Sequence, residues 1–152
     1  MSTVKRFEDL ECWKSARIMV GTVYKMTNNE KYKKDFELVN QIRRSAVSSM
    51  ANTAEGFHRS SHKDFLRFLD YSRSSIAETI SHAYVALDQG YISEKEMEEL
   101  KEIGEDVWKR INGFISYLRR YQPTNKPANP TNKPANKPSN QKTKQLKNQE
   151  TK

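Results

Sequence analysis

Between Leu100 and Tyr121, apolar or small side chains recur at strictly alternating steps of four and three residues. The series is Leu100, Gly104, Val107, Ile111, Phe114, Leu118 and Tyr121. This spacing places the series along one stripe of an α-helix, and a stripe of this length is stable only when other helices cover it. The pattern therefore predicts a helical bundle, and no segment shows the two-residue alternation that would indicate a β-strand.

Upstream of this stripe, the periodicity predicts a first helix over residues 9–27, with Asp9 as its N-terminal cap. Apolar side chains recur there at steps of three and four residues, namely Leu10, Trp13, Ala16, Val20 and Val23. Residues 28–34 are polar and basic without an apolar period, which predicts a loop.

A second helix is predicted over residues 35–55, with Gly56 in the left-handed conformation that ends many helices. Its inward face becomes small and polar along the series Leu38, Ile42, Ser45, Ser49 and Thr53. Small side chains at an interface let two helix backbones approach closely. An adjacent polar stripe, which needs a partner, consists of Gln41, Arg44, Ser48, Asn52 and Glu55.

Capping signals delimit the remaining two helices. Ser61 and Asp64 predict a capping box before the third helix, which should end at Gly90, and Ser93 and Glu96 predict another before the fourth. The inward positions of the third helix are Phe65, Phe68, Leu69, Ser72, Ile76, Ile80, Ala83 and Leu87. The predicted fold class is therefore all-α, an antiparallel up-down four-helix bundle.

Several aromatic residues lie at core spacing in this bundle, and we expect them to fill the core rather than to stack on nucleic-acid bases. These are Trp13, Tyr24, Phe65, Phe68, Trp108 and Phe114.

The C-terminal segment differs in composition from the rest. All five prolines lie after Gln122, and the heptapeptide PTNKPAN occurs at residues 123–129 and again at 130–136. Of the 27 Lys+Arg and 19 Asp+Glu, this segment holds seven and one, so it carries most of the net charge of +8. We expect a bundle domain over residues 1–122 and a disordered basic tail over residues 123–152. The tail is either a basic arm attracted to nucleic acid or a repeat expansion tolerated at a terminus.

Charge is also uneven within the bundle. Residues 88–106 hold eight acids against two lysines, whereas basic side chains prevail in residues 40–73. One end of the molecule should therefore be acidic and another basic. The candidate nucleic-acid-binding residues are Arg43, Arg44, Arg59, Lys63 and Arg67. The candidate oligomer contacts are Arg44, Asn52 and Glu55, and Arg43, about 100° from Arg44 around the helix, is expected to be freer to face a ligand.

The sequence offers little for catalysis or metal binding. His58 and His62 are four residues apart, but the predicted helix break between them means that they need not share a face. The single cysteine, Cys12, excludes an intrachain disulfide and indicates a reducing compartment, so we expect a cytoplasmic location. We predict no catalytic residues, no metal, no cofactor and no membrane association, since no stretch approaches the roughly 20 apolar residues of a membrane helix.

Several segments together carry a family resemblance. These are DLECWKSA, VYKMT, the long segment QIRRSAVSSMANTAEGFHRSSHKDFLRFL, and LDQGYIS, in that order. They resemble the 23S ribosomal RNA intervening-sequence proteins, which are distantly similar to the accessory proteins of diversity-generating retroelements. The likeness covers residues 7–121. The chain departs from the family pattern at Glu37, at Met50 and at the pair Ser74 and Ser75, which should straighten the second helix.

The resemblance implies an antiparallel four-helix bundle that assembles as a homo-oligomer, commonly a pentamer. It also makes RNA, DNA or a reverse-transcriptase-like protein candidate partners. Two functional hypotheses follow. The first is a nucleic-acid-binding oligomer that uses the basic residues, and the second is a protein-interaction scaffold in which the same arginines only join protomers.

Overall fold

The protein is described here by a computed structural model over residues 4–121, and these residues form an antiparallel up-down four-helix bundle. The helices are α1 (Glu11–Thr27), α2 (Phe36–Phe57), α3 (His62–Asp88) and α4 (Glu94–Arg120). Short 3-10 turns at Phe7–Asp9 and Tyr32–Lys34 precede α1 and α2. The predicted all-α fold is confirmed for this part of the chain. The predicted tail, residues 123–152, lies outside the described residues.

The chain caps three of its helices with side chains. At the start of α2, the Asp35 carboxylate accepts a hydrogen bond from the Leu38 N–H at 3.0 Å. Ser93 and Glu96 form the complete capping box predicted for α4. At α3, Ser61 accepts a hydrogen bond from the Asp64 N–H at 3.0 Å, but the Asp64 carboxylate binds the Ser61 hydroxyl rather than its backbone N–H. These caps satisfy N–H groups that have no partner inside the helix.

The predicted cap at Asp9 is wrong. This residue ends a 3-10 turn, and α1 begins after Leu10 without a side-chain cap.

The predicted left-handed conformation of Gly56 is also wrong, since this residue lies inside the last turn of α2. Among the described residues, Gly90 is the glycine with a positive φ, at 70°. A Cβ atom at Gly56 would lie 2.7 Å from the Cβ of Phe68 and 2.8 Å from Cδ2 of Phe65. Glycine is therefore required there because α2 and α3 approach closely, and not because of its conformational freedom.

The core follows the predicted stripes closely. The α4 series from Leu100 to Leu118 faces inward except for the half-buried Phe114, and Ile42, Ser49 and Thr53 are fully buried on α2. Tyr121, predicted to end the α4 stripe, is 56% exposed because the helix has already ended. Two of the aromatics expected in the core are also exposed at the surface, Tyr24 and Trp108.

Hydroxyl groups join α2 to α3, which share the most extensive helix–helix interface. Thr79 Oγ1 donates to Ser45 Oγ at 2.9 Å, and Ser72 Oγ donates to the Ser49 carbonyl at 2.6 Å. Thr53 Oγ1 reaches Ser72 Oγ at 3.2 Å. Because the side chains are small, the backbones come close, and because each hydroxyl is hydrogen-bonded, their burial is tolerated.

The antiparallel arrangement gives the bundle two ends. The α2–α3 end holds the start of α1, the end of α2, the start of α3 and the end of α4, and the α3–α4 end holds the opposite termini. None of the helices in residues 4–121 has both the length and the apolar composition needed to cross a membrane.

Candidate nucleic-acid interface

The five predicted nucleic-acid-binding residues fall into two separate groups. Arg43 and Arg44 lie in the first half of α2, whereas Arg59, Lys63 and Arg67 lie at the α2–α3 end. The helix between the groups is unbroken, so at about 1.5 Å per residue they are roughly 20 Å apart along its axis. The structure therefore does not bring all five residues together into one cluster.

Arg43 is held by the neighbouring helix. Its Nε donates to Thr27 Oγ1 at 2.8 Å and its guanidinium donates to Asn28 Oδ1 at 3.1 Å. The guanidinium carbon also lies 4.4 Å from the centre of the Tyr24 ring. The expectation that Arg43 is the freer of the two arginines is therefore wrong, because three contacts anchor it to the end of α1.

Arg44 is exposed and forms no ion pair with any described residue within 4 Å. It borders a shallow groove together with Ser48 and Glu78. The two other predicted oligomer contacts have partners inside the chain: Asn52 Nδ2 donates to the Ser48 carbonyl at 2.9 Å, and Glu55 binds Arg59. Of the predicted oligomer contacts, Arg44 is thus the most available to a second molecule.

At the α2–α3 end the cations are exposed and lightly paired. Arg59 binds the carboxylate of Glu55, and its guanidinium carbon lies 4.5 Å from the centre of the Phe68 ring. Arg67 pairs with Asp64 at 2.8 Å, and Lys63 is exposed. Exposed pairs of this kind contribute only about 0–1 kcal/mol, so they compete weakly with a phosphate group.

Two further cations at this end were missed from the sequence. Arg119 and Arg120 form the basic last turn of α4, and both are exposed. They lie far from Arg59 and Arg67 along the chain. The antiparallel topology would have revealed them, since it places the end of α4 beside the start of α3.

An open groove of about 730 Å³ lies at the same end, and Arg59 is the cation that borders it. Its lining residues are Val4, Phe57, Arg59, Ser60, Ser61, His62, Phe65, Phe114, Tyr117 and Leu118. The rings of Phe65 and Phe114 meet edge to face at 5.4 Å, and those of Phe57 and Phe65 do so at 6.1 Å. Phe65 and Phe114 were expected to fill the core, but they are only half-buried and form the walls of this groove.

The acidic residues of the chain collect elsewhere. Residues 88–106 run from the last residue of α3 into the first half of α4, so most of their carboxylates lie at the α3–α4 end. That end also carries lysines before α2, namely Lys31, Lys33 and Lys34. The two ends therefore differ in charge as the sequence suggested, although both are mixed. The α2–α3 end also carries the carboxylates of Glu8, Asp9, Glu11, Glu55 and Asp64.

The cysteine and the two neighbouring histidines, His58 and His62, do not form a catalytic or metal-binding cluster. Burial raises the pKa of the Cys12 thiol to about 11, so the thiol is protonated at neutral pH. His58 follows the last residue of α2 and His62 begins α3, which confirms the helix break predicted between them. Within the described part of the chain, no group of three or more His, Cys, Asp or Glu side chains is arranged to hold a metal ion.

The fold and the site define a class: an all-α four-helix bundle with a basic end around an aromatic groove. A sequence model of the 23S rRNA-intervening sequence protein family matches residues 8–113, and the chain belongs to this family. A solved structure from Bacteroides thetaiotaomicron, described as a protein with unknown function from the S23 ribosomal protein family, is similar with a TM-score of 0.62. It shares 23% sequence identity, over 68% of this chain and 97% of that chain. No curated protein matches the sequence.

Proposed function

We propose that this protein is a non-enzymatic, homo-oligomeric four-helix bundle that binds nucleic acid, as RNA or as part of a ribonucleoprotein, through its α2–α3 end. One observation carries the proposal: three of the predicted cations, Arg59, Lys63 and Arg67, share this end with Arg119 and Arg120. Clustered exposed cations attract the phosphate backbone because binding releases its condensed counterions.

The description of the family supports this proposal only in outline, since it links the proteins to an intervening sequence of 23S rRNA. Within the chain, the anchoring of Arg43 to α1 removes it from the proposed contact set. Arg44 remains accessible but lies roughly 20 Å from the α2–α3 end. The proposed nucleic-acid contacts are therefore the cations of the α2–α3 end.

A homo-oligomer, with a pentamer as the expected form, is the second part of the proposal. Arg44 and the exposed side chains of Val47 and Ala51 form an outward stripe on α2. A surface made of small residues and one unpaired cation suits a contact between identical copies. Replacing Arg44 with Ala should lower the molar mass measured by light scattering, whereas an unchanged mass would exclude Arg44 from the contact.

The proposal is tested by measuring the binding of the full chain to single-stranded RNA and to duplex DNA over a salt series. A variant combining Arg59→Ala, Lys63→Ala and Arg67→Ala should bind more weakly, and its log–log salt slope should fall by roughly 2. The matched control combines Lys31→Ala, Lys33→Ala and Lys34→Ala at the α3–α4 end, and it should retain the affinity of the unaltered chain. Equal losses in both variants, or no binding by the unaltered chain, would contradict the proposal.

The scaffold hypothesis has one observation in its favour, which is the exposure of Arg44 without an ion pair among the described residues. A scaffold could join copies of this chain or dock on a reverse-transcriptase-like protein. The same measurements separate the two functions. If the triple variant at the α2–α3 end changes molar mass and the chain binds no nucleic acid, those cations join protomers and the scaffold is the better description.

A further inference from the structure

We propose that the aromatic groove at the α2–α3 end binds an unpaired base of a single-stranded nucleic acid. This inference rests on the proposed function, because it assigns a specific ligand group to the same end of the bundle. It follows from three properties of the described residues: the arrangement of the rings, the polar groups beside them and the charge around the groove.

The rings form a series along one side of α4. The planes of Phe114 and Tyr117 are within 10° of parallel with their centroids 6.2 Å apart, and Tyr121 continues the series with its centroid 4.6 Å from that of Tyr117. Phe114 is half-buried, Tyr117 is 46% exposed and Tyr121 is 56% exposed. The series therefore leads from the wall of the groove out to solvent and offers accessible ring area.

The groove has the size and the lining of a ligand site. Its volume of about 730 Å³ lies within the 300–1,000 Å³ that is typical of small-ligand pockets, and aromatic side chains supply much of its wall. Polar side chains also line the groove, namely Arg59, Ser60, Ser61 and His62, although the Ser61 hydroxyl is already engaged in the cap of α3. A flat aromatic base with hydrogen-bonding edges matches such a lining better than an aliphatic chain would.

The charge around the groove identifies the kind of chain that carries the base. Arg59 is itself a lining residue, Lys63 lies four residues further along the chain, and Arg119 and Arg120 come directly after the lining residue Leu118. A base in the groove would therefore lie beside Arg59, with the other cations at the same end of the bundle. Rings for stacking combined with cations for phosphates are the two elements of single-strand binding surfaces.

The bases of a duplex cannot bind in this groove, because they are stacked and paired and would first have to be extruded. The proposal thus specifies single strands, loops or ends. These are the regions of RNA whose bases are accessible to aromatic side chains.

The test compares three probes at one salt concentration: a 12-residue oligothymidine, the same backbone with every base replaced by an abasic tetrahydrofuran unit, and a 12-base-pair duplex. The abasic strand keeps the phosphates and loses the bases. We expect the full chain to bind the intact strand about tenfold more tightly than the abasic strand, in line with the gain from one or two stacked bases. Equal affinity for the intact and the abasic strand would overturn the base-binding inference and leave the proposed function standing. Failure to bind any of the three probes would overturn both.

A pair of matched variants localises the effect. Tyr117 and Tyr84 are equally exposed, at 46%, but Tyr117 lines the groove and Tyr84 lies on α3 towards the α3–α4 end. Tyr117→Leu should lose most of the preference for the intact strand while its affinity for the abasic strand stays unchanged. Tyr84→Leu should match the unaltered chain with both probes. If Tyr117→Leu weakens binding to both strands equally, or if Tyr84→Leu has the same effect, the groove is not the base site. Thermal unfolding of each variant confirms that it is folded.

Discussion

The two ends of the bundle use similar residues in opposite ways. At the α3–α4 end, Tyr32 is fully buried and stacks on Tyr91 at 5.2 Å, and the Tyr91 hydroxyl donates to the Asp35 carboxylate at 3.2 Å. Burial together with this hydrogen bond raises the pKa of Tyr91. At the α2–α3 end, the rings of Phe114 and Tyr117 instead border an open groove. Aromatic side chains thus close one end, and at the other they remain accessible to a ligand.

The largest effect on stability is expected where α2 and α3 meet. Gly56→Ala would place a methyl group against the Cβ of Phe68, which cannot move without a shift of α3. We expect this variant to lose about 2 kcal/mol of unfolding free energy, as overpacking in a well-filled core does. Urea unfolding followed by circular dichroism measures the change.

Gly113→Ala is the control for this prediction, because Gly113 lies in α4 and a Cβ there would have no neighbour within 4 Å. Alanine is the better helix former, so this variant should gain about 0.8 kcal/mol. If both variants stabilise the protein, the close approach of α2 and α3 at Gly56 is not real.

Removing a helix cap should cost at most as much unfolding free energy as Gly56→Ala. The cost should be greater for the cap at the α3–α4 end than for the cap at the α2–α3 end. Asp35→Ala removes both the cap of α2 and the hydrogen bond from Tyr91, so it should cost about 2 kcal/mol. Ser61→Ala at the open end removes the cap of α3 and should cost about 1 kcal/mol. Thermal or urea unfolding of the two variants side by side provides the comparison. A larger loss of unfolding free energy from Ser61→Ala would contradict the prediction, because it would mean that the cap at the α2–α3 end contributes more.

How much of this architecture the sequence predicts depends on the range of the interactions. The α4 stripe and the Ser93 cap follow from spacing within one helix, and both are confirmed apart from Phe114 and Tyr121 in the stripe. The role of Gly56 was predicted wrongly because it depends on the contact of α2 with Phe68 on α3. A contact between two helices leaves no periodic signal in the sequence. Arg43 was misjudged for the same reason, since its partners lie on α1.

The candidate site shows the same limit. Arg59 and Lys63 could be proposed from the sequence because they lie close together along the chain. The cations at the end of α4 do not follow from their position along the chain, and only the predicted antiparallel topology could have placed them at the same end. Phe65 and Phe114 have core spacing, and nothing in a helical period distinguishes the last buried ring of a bundle from the first ring of an open groove.

The smallest effects on stability are expected from the surface ion pairs, but their effects on binding should differ between the two ends. Arg67 pairs with Asp64 at 2.8 Å at the open end, and Lys101 pairs with Glu98 at 3.0 Å on α4. Arg67→Ala and Lys101→Ala should each change the unfolding free energy by no more than about 1 kcal/mol. Only Arg67→Ala should reduce the affinity for RNA and lower the salt slope by about 1, as measured by fluorescence anisotropy. Equal binding by the two variants would remove Arg67 from the contact set.

The most direct test of the central assignment is to cross-link single-stranded RNA to the full chain with ultraviolet light and to map the cross-linked peptides by mass spectrometry. Aromatic side chains next to bases react readily, and both ends carry exposed tyrosines, Tyr24 and Tyr84 at one and Tyr117 and Tyr121 at the other, so the chemistry does not favour either end in advance. The structure predicts cross-links within residues 57–67 and 114–121, around the groove of the α2–α3 end. Cross-links concentrated instead at Tyr24 or Tyr84 would contradict the assignment of nucleic-acid binding to the α2–α3 end.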